Sequence, residues 1–204
     1  HGEVKSVYFH CVPSFVVGLD YKIEVEGLGT VTYDLAYGGA FYAYVDADQL
    51  GIDMTADNYR QLIEYGTAIK HAVILANDRI IHPFEPEMSE LYGTIFTGKS
   101  HTPGIDSRNV CIFAAGEVDR SPTGSGVSGR MAIHHKRGDL KPGQTMMSLV
   151  PDSDVIMVGY FSQLVELKGM DRPVGPILYW DQGHEHVFGD PTADAEWDKV
   201  WHWS

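Results

Sequence analysis

The chain has 204 residues, 44% hydrophobic and 21% charged, which suits one large or two small globular domains with a sizeable core. Its 28 acidic against 15 basic residues leave a formal charge of −13 with no basic stripe, which argues against nucleic acid as a partner. No apolar run approaches the roughly 18 residues of a membrane span, and the polar start His1-Gly2-Glu3 does not read as a secretory leader. A cytoplasmic protein is expected.

Residues 4–10 alternate between two faces and predict a strand, which Pro13 bends or confines to an edge. Residues 21–26 and 30–35 predict a hairpin around Gly27 and Gly29. Gly38-Gly39 then break the chain before a strand over 41–45. Residues 55–77 form the clearest helix, with Thr55 as N-cap and Tyr59, Leu62, Ile63, Ile69 and Val73 at three- and four-residue steps. Such a stripe belongs to a scaffold helix packed on a sheet. Residues 80–84 begin as a strand that Pro83 and Pro86 end, and 92–97 alternate again. The stretch 99–108 has the composition of an exposed loop, and 109–113 predict another strand. Strand character returns within 154–167 and 175–180, and the acidic tail 190–204 holds three of the four tryptophans.

Cys11 and Cys111 each lie in an apolar run and belong to no Cys-x-x-Cys pair, so they read as buried free thiols. His134 and His135 are adjacent and face different sides of a helix. His184 and His186 would share one face of a strand, without an evident third ligand. No metal site is expected.

The most informative stretch is 117–130, which is rich in serine and glycine. It lies between the strand over 109–113 and a helix predicted over 131–138, closed by Gly138. The first N–H groups of a helix lack internal partners, and glycines let a ligand approach them closely. A carboxylate or phosphate could be held there. A turn that merely caps a helix is the competing reading.

Asp119-Arg120-Ser121-Pro122-Thr123-Gly124-Ser125-Gly126 resembles the Asp-Arg-Ser-Pro-Cys-Gly-Thr-Gly signature of the proline racemase family. Two stretches agree with it: Val12-Pro13-Ser14-Phe15-Val16, and Asp34-Leu35-Ala36-Tyr37-Gly38-Gly39-Ala40-Phe41-Tyr42-Ala43. The similarity runs in order over about residues 4–143. It implies an α+β architecture, a mixed and largely antiparallel sheet around helices, as in proline racemase and diaminopimelate epimerase. Residues 1–143 would be the second lobe with its crossover helix, and 144–204 a poorly matched C-terminal segment that could be part of the opposite lobe.

The family's racemases use no cofactor and flank the substrate α-carbon with two cysteines. The second is replaced by Thr123 here, and the hydroxyl is too weak an acid for two-base inversion. Within the family that substitution marks trans-3-hydroxy-L-proline dehydratases, which need one base and then lose water to give pyrroline-2-carboxylate. The resemblance assigns Asp119 to the ring nitrogen, the N–H groups of Gly124 and Ser125 to the carboxylate, and Phe113 to an apolar wall. Ser125 stands where a threonine is usual. A helix-capping role for Asp119 and a plain core role for Phe113 remain open.

The family's first catalytic cysteine lies in a Cys-Gly-His stretch upstream of the matched region, and neither Cys11 nor Cys111 is followed by Gly-His. The resemblance thus implies one half of a site for an imino acid, and leaves a homodimer open as the assembly. A proline or hydroxyproline racemase or epimerase is the alternative activity. A carboxylate-binding remnant without turnover is the non-enzymatic one.

Overall fold

Alternation along the strands sets the layering. In the β4 strand, Phe41–Asp46, the side chains of Phe41, Ala43 and Val45 enter one apolar cluster while Tyr42 and Tyr44 enter another. The β6 strand, Ser107–Phe113, divides likewise, with Val110 and Ile112 on the first face and Cys111 on the second. Both faces are therefore buried, which fits runs of apolar residues better than strict polar alternation. The structure is a computed structural model and describes residues 6–76, 79–149, 156–160, 164–167, 170–173 and 177–181.

Ten strands form the main sheet. They include β1 (Ser6–His10), β2 (Phe15–Val25), β3 (Gly29–Tyr37), β4, β5 (Leu91–Gly98), β6 and the two-residue β7 (Glu117–Val118). The others are β8 (Thr145–Leu149), β9 (Ile156–Tyr160) and β12 (Ile177–Asp181), while β10 (Leu164–Leu167) and β11 (Met170–Pro173) pair separately. The spatial order is β1-β12-β9-β8-β6-β5-β4-β3-β2, with β7 hydrogen-bonded to β6. Among the described residues only β4/β5 and β6/β8 run parallel, so the sheet is mixed and largely antiparallel, as expected. The predicted hairpin is the β2–β3 pair.

Parallel neighbours need a long crossover. Between β4 and β5 it is made by α1, Tyr59–Ala76, which buries Leu62, Ile69 and Val73 against the sheet. Thr55 occupies an N-cap position, but of the short 3-10 turn Ala56–Asn58, and its side chain makes no capping hydrogen bond. The second helix, α2 (Gly124–Arg137), packs on the other sheet face, where every residue from Gly126 to Ile133 is buried. Gly138 ends it with φ 86° and donates its N–H to the His135 carbonyl.

Three expectations need correction. The helix begins at Gly124, seven positions before Met131, because its first two turns pack by small size rather than by an apolar stripe. A Cβ on Gly129 would strike the Tyr44 hydroxyl, and one on Gly126 would strike Ile95. Residues 80–84 form no strand. Instead the Glu85 N–H donates to His82 Nδ1 at 2.9 Å, and the His82 ring packs edge-on against Tyr37 at 4.7 Å. Cys11 lies outside any strand and is half-buried, with its thiol donating to the Gly38 carbonyl. Cys111 is buried as expected. The tail 190–204 and the His184/His186 pair lie outside the described residues.

Candidate functional site

The chain leaves β6 at Phe113 and turns through Ala114 and Gly116, both at positive φ. It returns as β7, antiparallel to β6, pairing Ile112 with Val118 and Phe113 with Glu117. This small hairpin brings Asp119 back over the strand it left, and its N–H donates to the Cys111 carbonyl at 2.9 Å. Asp119 is consequently fixed at the backbone, five positions before the helix starts at Gly124.

Its carboxylate is fixed as well. One oxygen accepts the Ser121 N–H at 2.8 Å, and the other accepts the Thr123 hydroxyl at 3.0 Å. A carboxylate has about four lone-pair positions, so acceptor capacity remains on both oxygens. Thr123 is 4% exposed, at φ 61°, a left-handed conformation that a β-branched residue rarely adopts. Its N–H donates to Ser121 Oγ, and its carbonyl accepts the Val127 N–H at 2.8 Å, the first full turn of α2.

Gly124 and Ser125 follow at the N-terminus of α2, both partly exposed. Helical geometry leaves their N–H groups without intrahelical acceptors. The Gly38-Gly39 turn presses on the same end: a Cβ at Gly38 would strike Ser125 O and Gly129 N. Backbone thus meets backbone, and only glycine fits.

Phe113 is half-buried, with its ring stacked on Tyr92 at 5.4 Å and an interplanar angle of 10°. Tyr92 meets Tyr42 edge-on at 5.7 Å, and the Tyr42 hydroxyl shares a hydrogen bond of 2.8 Å with Ser125 Oγ. Burial, above all, holds the Tyr42 phenol well above its usual range, so it stays protonated. Four of the five anticipated residues therefore fall into two contact groups, Asp119 with Thr123, and Phe113 through Tyr92 and Tyr42 to Ser125. Gly124 joins them through the backbone at the start of α2. The two tyrosines had no role in the sequence reading. Tyr42 stood inside a quoted motif, but only strand pairing reveals what it touches.

Cys111 lies beneath the first group. Burial first, then the nearby Asp119 carboxylate, push its thiol far up, and a hydrogen bond with Thr123 opposes them. Burial also raises Cys11. Both are thiols, not thiolates, near neutral pH. No cluster of three His, Cys, Asp or Glu side chains able to hold a metal ion occurs among the described residues. No helix among them is long and apolar enough to cross a membrane.

A glycine-tight helix N-terminus beside an oriented carboxylate, on an α+β sheet, defines a protein class that is matched in known proteins. Residues 1–153 match the proline racemase family, and the chain belongs to it. It is 52% identical over 143 residues to a trans-3-hydroxy-L-proline dehydratase of Colwellia psychrerythraea, covering 70% of this chain and 40% of that protein. To the dehydratase of Burkholderia ambifaria it is 42% identical over 183 residues, 90% of this chain and 53% of that protein. An alignment that long extends past Gly143, further than the motifs alone suggest.

Among solved structures, a hydroxyproline epimerase from Agrobacterium vitis with bound trans-4-hydroxy-L-proline is 35% identical, with a TM-score of 0.76. The match covers 87% of this chain and 50% of that one. A probable proline racemase from Agrobacterium radiobacter with bound carbonate gives 28% and 0.78, covering 93% and 56%. The chain thus spans about half the length, or less, of these relatives. Its family is one of enzymes: racemases, epimerases and dehydratases.

Proposed function

We propose that this chain provides the substrate-holding half of a trans-3-hydroxy-L-proline dehydratase. The observation that carries the reading is the buried Thr123 hydroxyl donating to Asp119 at 3.0 Å, in the position where a two-base enzyme needs a thiol. A hydroxyl committed to a carboxylate returns no proton to an α-carbon. Inversion is disfavoured, and elimination remains.

In this reading, Asp119 accepts a hydrogen bond from the protonated ring nitrogen, a charge-assisted contact that orients the ring. The N–H groups of Gly124 and Ser125 donate to the substrate carboxylate, aided by the helix N-terminus. Phe113, backed by Tyr92, bears on the apolar edge of the ring. A base removes the α-proton, and the electron pair it leaves forms the double bond to the adjacent ring carbon. The bond to the 3-hydroxyl breaks with its electron pair, and the hydroxide leaves as water on gaining a proton. The enamine then tautomerises to pyrroline-2-carboxylate.

The base comes from outside this half, as the protonated state of Cys11 and Cys111 supports. Alone, the 204-residue chain would bind substrate without turning it over. The test is to add trans-3-hydroxy-L-proline to the chain and to a full-length version carrying a Cys-Gly-His segment. Turnover is expected only in the second, with L-proline left unracemised. Turnover by the first, or sustained racemisation of L-proline by the second, would overturn the reading. A Thr123→Cys change in the full-length form supplies the second thiol and should raise racemisation.

A further inference from the structure

One charged side chain lies apart from this site. Arg130, in the middle of α2, is 6% exposed. Its Nη1 donates to two neutral hydroxyls, Ser107 Oγ at 2.9 Å and Ser148 Oγ at 3.4 Å. Among the described residues it forms no ion pair. Burial lowers its pKa to about 10, against a smaller opposing influence from Tyr44 and Asp106, so it is still charged at neutral pH. Buried cations are normally paired, because desolvation is costly.

Arg130 lines a cavity of about 460 Å³. The cavity lies at the opposite end of the strands from the Thr123 site. It is bordered by Asp46, Gly98 and Ser107, whereas Gly39 precedes the start of β4 and Phe113 closes β6. Its inner wall is buried, with Ser107, Leu140 and Met146 beside Arg130. Its rim is exposed and mostly acidic: Asp46, Asp48, Asp106 and Asp139, with Lys99 as the exposed cation. Three of these acids are engaged locally: Asp46 by the Asp48 N–H, Asp106 by the Met147 N–H, and Asp139 with His134 Nδ1 at 3.3 Å. His134 also borders the cavity, and burial, then Arg130, hold it below its usual pKa, so it adds little positive charge.

Four carboxylates at the mouth repel a simple anion such as phosphate. A bare metal ion is disfavoured by the cation inside and by the lack of a three-ligand cluster among the described residues. What matches both ends is a molecule carrying opposite charges. We propose that this cavity binds a small zwitterion, an amino-acid-like molecule whose carboxylate pairs with Arg130 while its ammonium group meets the aspartates of the rim. The site is independent of the one at Thr123.

The test uses the 204-residue chain, with amide NMR titrations of glycine, β-alanine, acetate, methylammonium and magnesium chloride. Expected are saturable shifts at Gly98, Ser107 and Thr145 with a zwitterion, and weaker ones with either half-molecule. Arg130→Gln should weaken zwitterion binding by about tenfold or more, as loss of a charged hydrogen-bond partner does. Asp48→Asn, at an exposed rim position, should weaken it less, and Asp119→Asn not at all. If Arg130→Gln fails to fold, Asp48→Asn and the shift map decide the matter. The proposal is overturned if no zwitterion shifts these amides, if acetate or magnesium binds as tightly, or if Asp119→Asn alone abolishes binding. The first two of those results leave the dehydratase reading untouched, and the third would place zwitterion binding at the Thr123 site instead.

Discussion

The two helices meet the same sheet on opposite faces and are built on opposite rules. α1 is one-sided, burying Leu62, Ile69 and Val73 while Leu75 stands 88% exposed. α2 is buried through eight consecutive residues, and much of that length is glycine, serine and alanine. A one-sided helix needs an apolar stripe; an enclosed helix needs small residues wherever the sheet comes close. The first is scaffold, and the second carries the candidate site at its N-terminus and a buried cation at its middle.

Substitutions sharpen that contrast. Met131→Ala in α2, where the side chain is 1% exposed, should cost about 2–5 kcal/mol. Leu75→Ala in α1 should stay within about 0.5 kcal/mol. Urea denaturation of the two variants checks both; similar losses would erase the distinction. Next in size, Asp119→Asn should weaken binding of a hydroxyproline by roughly 1.5–3 kcal/mol, the worth of a hydrogen bond to a charged group. Calorimetry on the folded variant reads this, and unchanged affinity would reduce Asp119 to a helix cap.

Gly38→Ala should destabilise by about 1–3 kcal/mol, since overpacking here meets backbone that cannot yield. Its thermal midpoint should fall and substrate affinity with it, because Ser125 is displaced. The mildest expected effect is a slope against pH. His134, near the C-terminus of α2, has a pKa lowered by burial, so the unfolded chain binds its proton more readily. Its contribution to stability is therefore present above about 6.5, the ordinary histidine value, and is lost as pH falls through the folded value. Denaturation at a series of pH values, compared with His134→Gln, should show a flatter acid limb in the variant.

The comparison also explains what was legible beforehand. Periodicity found α1, the β2–β3 hairpin and the strands β4, β5 and β6, because each has a face to bury. It missed the first half of α2, where Gly-Ser-Gly-Val-Ser-Gly carries no stripe and looks like a turn. It took 80–84 for a strand because Ile80, Ile81 and Phe84 are apolar, although Pro83 and the His82 ring form a local turn. The site residues were anticipated as a motif, Asp119 to Ser125 lying within seven positions. Tyr42 and Tyr92 were not, since they join Ser125 to Phe113 only through β4/β5 and β5/β6 pairing between distant segments.

The backbone at Thr123 carries a further implication. A threonine held at φ 61° stores roughly 1–3 kcal/mol of conformational strain. Glycine would release it, at an entropic cost of about 0.5–1 kcal/mol. Selection for thermal stability alone would therefore drift toward glycine at this position and strip the hydroxyl from Asp119. The threonine at this position is a local compromise, in which the fold gives up some of its own stability to keep one oxygen in place.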